Sequence, residues 1–361
     1  MKQLIIIICT LFLISPLYVN GQGCMEPTSD DGVSVVGYIQ PQVEYRFLGD
    51  DLRANNLDES SFYFNRVRLG VVGSIPYDFS YYAMTELSPT KGGPIILDAY
   101  VSYNRLGPWA TISVGQFRSP FGLELSTPCH KLHTINRSQV VETLAGPFRD
   151  MGFMISGGTD TLSFFGSKTT NFFGYNIALM NGTGKNVMDD NRKKDLVGRV
   201  TIHPFDFITI GASYRFGKHP TLVEGATDDE RSRYGFDLEL KYNDFMLQGE
   251  YISGSDVGSY TTGGGCDAGE VIVHQGSVDR EGFMVQAMYR TPWNLQPVIK
   301  FETYDPNIIA EESNDRINTM TLGLNVFPND WTRVQINYLY NAEKGAEIPN
   351  DEILVQVQAL F

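Results

Sequence analysis

EILVQVQALF, residues 352–361, ends the chain on a strict alternation of apolar and polar side chains. Ile353, Val355, Val357, Ala359 and Phe361 fall on one side of an extended strand, and Glu352, Gln356 and Gln358 on the other, because side chains alternate with period two along a strand. Leu354 and Leu360 are the two exceptions on the polar side. A frayed terminus has no need of such a pattern, so the last strand is expected to be paired in a sheet with one apolar face.

The same alternation recurs upstream in segments of roughly ten residues, the length and period of strands that cross a membrane as a closed barrel. The segments are 33–47, 61–74, 78–88, 94–104, 109–118, 149–158, 172–180, 195–203, 207–216, 233–242, 245–253, 281–290, 295–304, 316–327, 331–341 and 352–361. The expectation is therefore an all-β, antiparallel transmembrane barrel of about sixteen strands over residues 33–361.

The connections support it. Tight turns follow the second, fourth, eighth, tenth, twelfth and fourteenth segments, as at Asn243-Asp244 and Pro328-Asn329-Asp330, while mostly longer polar stretches follow the odd-numbered ones. That parity belongs to barrels with short periplasmic turns and long outer loops; a soluble sandwich has no reason to keep it. The connection 159–171 should be short but holds a second apolar run, TLSFF, which leaves room for an extra hairpin. Aromatic residues mark the tight turns (Tyr77, Trp109, Phe205, Phe245, Trp293 and Trp331), as in a ring at headgroup level.

Residues 1–21 read as a secretory signal peptide: Met1-Lys2 precedes LIIIICTLFLIS and the small Val19-Asn20-Gly21. The apolar run is short of the roughly 20 residues a membrane-spanning helix needs. Cys24 lacks the aliphatic residue expected upstream of a lipidated cysteine. Residues 22–32 are then expected to form a short N-terminal periplasmic segment. In the exported chain, two of Cys24, Cys129 and Cys266 could pair, or all three could stay as thiols. The formal net charge of −14, or −15 once Lys2 is removed, argues against nucleic acid as a partner. The implied surroundings are outer-membrane lipid outside and water within.

Assigning the apolar parity to lipid puts the other parity in the lumen. Segment 61–74 points Tyr63, Val67, Leu69 and Val71 outward and Arg66 and Arg68 inward; segment 94–104 points Leu97, Ala99, Val101 and Tyr103 outward and Asp98 inward. Arg46, Arg199, Arg215, Lys241, Arg290, Lys300 and Arg333 also face inward, with Glu44, Glu86, Asp237, Glu239, Glu250 and Glu302. Such a wall describes a wet channel for small hydrophilic solutes.

The longest connection, 119–148, is too apolar for a loop in water (Phe121, Leu123, Leu125, Val140, Val141, Leu144), so it is expected to fold into the barrel and narrow it. Its basic residues Arg118, Lys131 and Arg137 would then stand at the constriction and bias it toward anions. Cys129-His130 and His133 fall short of the four ligands of a structural zinc site, and Asp189-Asp190-Asn191 lacks the spacing of a calcium loop, so no metal or cofactor is expected. No nucleophile elbow, P-loop or dinucleotide fingerprint is present, so no enzyme is expected. A plugged barrel that serves as a structural or surface-binding protein is the alternative reading.

Four phrases carry a family resemblance: FNRVRLG at 64–70, VGQFRSPFGLE at 114–124, RDMG at 149–152, and KDLVGR at 194–199 with Pro204-Phe205. Together they resemble the phosphate-selective porin O and P family of Gram-negative outer membranes. The resemblance implies a sixteen-stranded porin, commonly a homotrimer, passing small anions such as phosphate through a basic constriction. It also makes Phe361 resemble the terminal aromatic read by the outer-membrane assembly machinery. The selective members carry an arginine ladder and a lysine cluster, whereas nine basic and seven acidic side chains interleave on the inward face here.

Overall fold

In the computed structural model the strands hydrogen-bond antiparallel in chain order, and the first closes against the last. The structure describes residues 33–47, 60–75, 78–159, 162–164, 167–169, 171–220, 228–262, 272–308, 316–343 and 349–361. The barrel strands are β1 (Val33–Arg46), β2 (Ser60–Ile75), β3 (Phe79–Glu86), β4 (Ile95–Tyr103), β5 (Thr111–Arg118), β6 (Arg149–Gly158), β7 (Phe173–Met180) and β8 (Asp195–Phe205). They continue as β9 (Ile208–His219), β10 (Asp229–Tyr242), β11 (Phe245–Thr262), β12 (Ile272–Tyr289), β13 (Leu295–Asp305), β14 (Ile317–Val326), β15 (Thr332–Glu343) and β16 (Glu352–Leu360). Closure pairs the backbone along both sides of each strand, which a lipid interior demands.

Each of the sixteen expected segments is a barrel strand. The extra apolar run in 159–171 makes a separate two-stranded hairpin, Leu162–Phe164 with Ser167–Thr169, outside the barrel sheet. The stretch 254–280, expected as loop, is largely strand: β11 and β12 are each 18 residues long and stay paired up to Thr262 and Ile272. Its polar sequence hid it, since strands beyond the membrane need no lipid-facing alternation. The expected signal peptide, residues 22–32, Cys24, Cys266 and Tyr77 lie outside the described residues. Cys129 carries a free thiol.

Two bulges overturn inward and outward assignments made on strict alternation. Gln40 pairs with Arg66 but Pro41 with Phe64, so Asn65 is an extra residue on β2. Tyr63 therefore points inward, its hydroxyl bonded to Gln42 and Glu44, and Phe62 and Phe64 face out. On β4, Asp98 pairs with Met84 but Ile96 with Thr85; the extra residue is Leu97, which turns from the expected outer face into a buried inner cluster. One inserted residue reverses the face of every position beyond it, because the side-chain period is two.

The terminal stretch closes the cylinder. β16 pairs with β15 on one side and with β1 on the other, and Gly37 and Phe361 exchange backbone hydrogen bonds of 2.9 and 3.0 Å. A Cβ at Gly37 would meet the Phe361 ring at 2.7 Å, so glycine permits this contact. Val357 and Phe361 are exposed on the lipid side, and Gln356 and Gln358 are buried inside. The two exceptions also face inward: Leu354 is buried, and Leu360 packs on Tyr38, Cys129 and Leu132. The terminal strand thus supports both the wall and the loop inside it.

Candidate functional site: the loop-lined lumen

The long loop between β5 and β6 lies within the barrel. Gly122, at φ +64, turns the chain inward beside the Glu250 carboxylate, where any side chain would collide. Two short helices follow, α1 (Leu123–Ser126) and α2 (Gln139–Leu144), with a 3-10 turn at Cys129–Lys131 between them. Phe121, Leu125, Val140, Val141 and Leu144 are almost wholly buried and pack with wall residues Tyr100, Phe117, Met154, Met180 and Ile252. This apolar contact explains how such a sequence can occupy a polar barrel: it carries its own core.

Polar groups tie the loop to the far wall. Gly122 N donates to Ser213 Oγ on β9 at 2.9 Å, Glu124 N to Glu250 Oε2 on β11 at 2.8 Å, and Gln139 N to Glu302 Oε1 on β13 at 3.0 Å. Ile135 N donates to Asn337 Oδ1 at 2.8 Å; Arg333 donates to the carbonyls of Leu132 and His130 at 2.8 and 2.9 Å. Lys300 Nζ stands between Glu124 and Glu302, at 3.4 and 2.8 Å. Glu124 Oε2 also accepts from Ser138 N and Oγ, which ties α1 to the start of α2.

The loop's polar bonds thus run to β9–β15, and beside its apolar packing a space remains on the β2–β6 side. A cavity of about 410 Å³ lies between it and β2–β6, reaching the outer connections at Lys91 and Lys185. Six cations line it: Arg66, Arg68, Lys91, Arg137, Arg149 and Lys185; the carboxylates there are Glu86 and Glu142. Arg68 pairs with Glu86 at 2.8 Å, and Arg149 with Asp98 at 3.0 Å. Arg66 donates to Gln40 at 3.0 Å. Loop groups report the resulting field. Burial alone would raise the Cys129 thiol, but Arg137, Arg68, Arg66 and Arg118 outweigh it and hold it well below its usual range. Lys185 is lowered by burial and then by Arg149 and Arg68.

A second cavity, about 670 Å³, lies toward the short-turn end, beneath the 3-10 turn: Cys129 lines the outer cavity, His130 and Lys131 the inner one. Arg199, Lys241 and Arg333 line it too, with Glu239 and Asp330. A third, of about 270 Å³, is bordered by Arg215, Arg231, Arg233 and Arg280 with Asp195 and Asp256. All three cavities carry more cations than carboxylates, whereas the chain as a whole is strongly acidic.

The residues singled out from sequence therefore separate. Arg66, Arg68 and Arg137 meet in the outer cavity; Lys131, Arg199, Lys241 and Arg333 in the inner one; Arg215 lines the third, paired to Asp195 at 2.9 Å. Arg118 is buried and donates to Ser126 O, and Lys300 anchors the loop. Arg199 is buried against Asp237 at 2.6 Å, and Lys241 is half exposed beside Glu239. Arg46 stays at the outer end of β1, paired with Glu44 and Glu352, and joins none of the cavities. Sequence reasoning missed Arg149: strict alternation puts it on the face of exposed Met151 and Phe153, but the chain leaving the loop turns it toward Asp98. It also missed Lys91 and Lys185, which sit in connections, and Glu124. Trp109, Phe205, Phe245, Trp293 and Trp331, assigned to the aromatic ring, are all exposed at the short-turn end, and Trp331 also borders the inner cavity.

A family model for the phosphate-selective porins O and P matches residues 38–221. The chain belongs to that family. It is an outer-membrane channel for small solutes, placed in a Gram-negative outer membrane. The porin is similar in fold to OmpF from Salmonella typhi in complex with daunomycin (15% identity, TM-score 0.66, 93% of this chain and 100% of that one). It is similar to an anion-selective porin from Comamonas acidovorans (12%, 0.65, 91% and 99%) and to OmpT from Vibrio cholerae in trimer form (13%, 0.60, 92% and 100%). No curated protein matches the sequence.

Proposed function

We propose that the porin favours small anions and that selection takes place in the outer cavity, between the inward loop and β2–β6. The observation that carries this reading is the excess of six cations over two carboxylates in that cavity. Charge at the narrow part of a pore, rather than total charge, sets the barrier for a permeating ion. Arg66, Arg68, Arg137 and Arg149 lower the barrier for anions, and Lys91 and Lys185 draw them in from outside. Arg118 and Arg333 hold the loop that shapes the passage. Inorganic phosphate is one solute of this class; the Arg68–Glu86 and Arg149–Asp98 pairs temper the field it would meet.

The same reading includes export by a signal peptide cleaved after Gly21, insertion by the outer-membrane assembly machinery acting on Phe361, and a homotrimer. The trimer form of the Vibrio cholerae relative supports the last.

The test is single-channel recording in a planar bilayer across a KCl gradient. The reversal potential is expected to report a preference for chloride, and the triple variant Arg66→Gln, Lys91→Gln, Lys185→Gln to move it toward the cation side. A wild-type preference for potassium, or a triple variant with unaltered reversal potential, would place selection elsewhere.

A further inference from the structure

The inner cavity differs from the outer one in kind. Leu123, Met246, Phe327, Trp331 and Leu360 contribute to its lining, so a wall of carbon stands beside its cations. One face of the Phe327 ring is already covered by the Arg290 guanidinium, 3.5 Å from the ring centre. A passage for hydrated inorganic ions gains nothing from such a wall, since water against carbon is unfavourable.

The same cavity holds a buried charge without a counter-ion. Arg333 is 5% exposed, and its partners are the carbonyls of Leu132 and His130 and the amide oxygen of Gln358. Its Nε has no hydrogen-bond partner. Among the described residues no carboxylate lies within ion-pair distance of Arg333 or of Lys131, which also lines the cavity. A buried cation in that state is stabilised by any anion that enters. His130 and His133, pushed down to about 4 chiefly by burial, are neutral near pH 7 and add hydrogen-bonding groups without further charge.

We propose that this inner cavity is a binding site for small organic anions with one apolar end, the carboxylate meeting Arg333 and Lys131 and the hydrocarbon part lying on Met246, Phe327 and Leu360. Occupancy would narrow the path from the short-turn side and hold such solutes longer than inorganic ions. The proposal rests on the anion reading above and adds a solute class to it.

Benzoate is the probe, with acetate as the charge-only control and benzyl alcohol as the ring-only control, each added to one chamber at a time while chloride current through the full-length porin is recorded. Benzoate is expected to interrupt the current from one side at concentrations about tenfold below those of acetate, since the ring adds apolar burial to the same charge. Benzyl alcohol should have no effect. Met246→Ser with Phe327→Ser should raise the effective benzoate concentration toward that of acetate, in barrels whose heat-modified gel mobility shows that they fold. Equal potency of benzoate and acetate in the wild type, or equal action from both chambers, overturns the proposal without any variant. Chloride preference with no benzoate effect removes this site and leaves the anion reading standing; absence of chloride preference removes both.

Discussion

Lys300→Met removes the cation that fastens the inward loop. Lys300 is 2% exposed, and its ammonium sits 2.8 Å from Glu302 and 3.4 Å from Glu124. At an effective dielectric constant near 20, those separations correspond to gross attractions of roughly 6 and 5 kcal/mol. Desolvation of all three groups offsets most of this, and the cost of leaving buried partners uncompensated is about 3–5 kcal/mol. That cost should fall on docking of the loop and leave the barrel intact, because both carboxylates also hold loop backbone: Glu302 accepts from Gln139 N, and Glu124 from Ser138 N. The assay is native-state hydrogen exchange at the amides of Glu142 and Ala145, whose bonds to Ser138 O and Val141 O form the body of α2. Loss of about 3 kcal/mol speeds exchange there by about a hundredfold. Adding Glu124→Gln to Lys300→Met should recover part of the loss, since one stranded charge is gone. Exchange in the single variant within threefold of wild type would refute the role given to this triad.

Gly37→Val should lower the yield of heat-modifiable barrel on a gel, because the new side chain meets the Phe361 ring and the Arg68 carbonyl at the closing seam; an unchanged yield would mean the seam can shift. Loop stability should also fall with acid. The folded His130 and His133 sit near 4 while the unfolded imidazoles titrate near their ordinary 6.5, so the unfolded chain binds these protons first and the contribution of the neutral rings is lost as pH drops from about 6.5 to 4. A His130→Asn, His133→Asn variant should show a shallower fall of the same exchange rates over that window; an equal slope would exclude these two groups.

Strand count, strand direction and compartment were legible in the sequence because each rests on a local regularity: a period of two, and turns whose length alternates from one end of the barrel to the other. Parity also places Arg66, Arg68, Arg199 and Arg333 on the inner wall, since lipid admits only one answer for the other face. Beyond that, local pattern fails for physical reasons. The bulges at Asn65 and Leu97 arise from how two strands mesh, so Tyr63 and Leu97 change faces with no mark in their own segment. Long-range placement decides which cations share a cavity. Arg66 and Arg137 are 71 positions apart in the chain and meet because the loop folds back inside the barrel, while Arg46, on the same parity as other inward residues, is left at the rim. The ending EILVQVQALF divides the same way. Its alternation alone makes it a membrane strand, but its pairing with β1, and the packing of Leu360 on Leu132 of the inward loop, exist only once the barrel has closed around that loop.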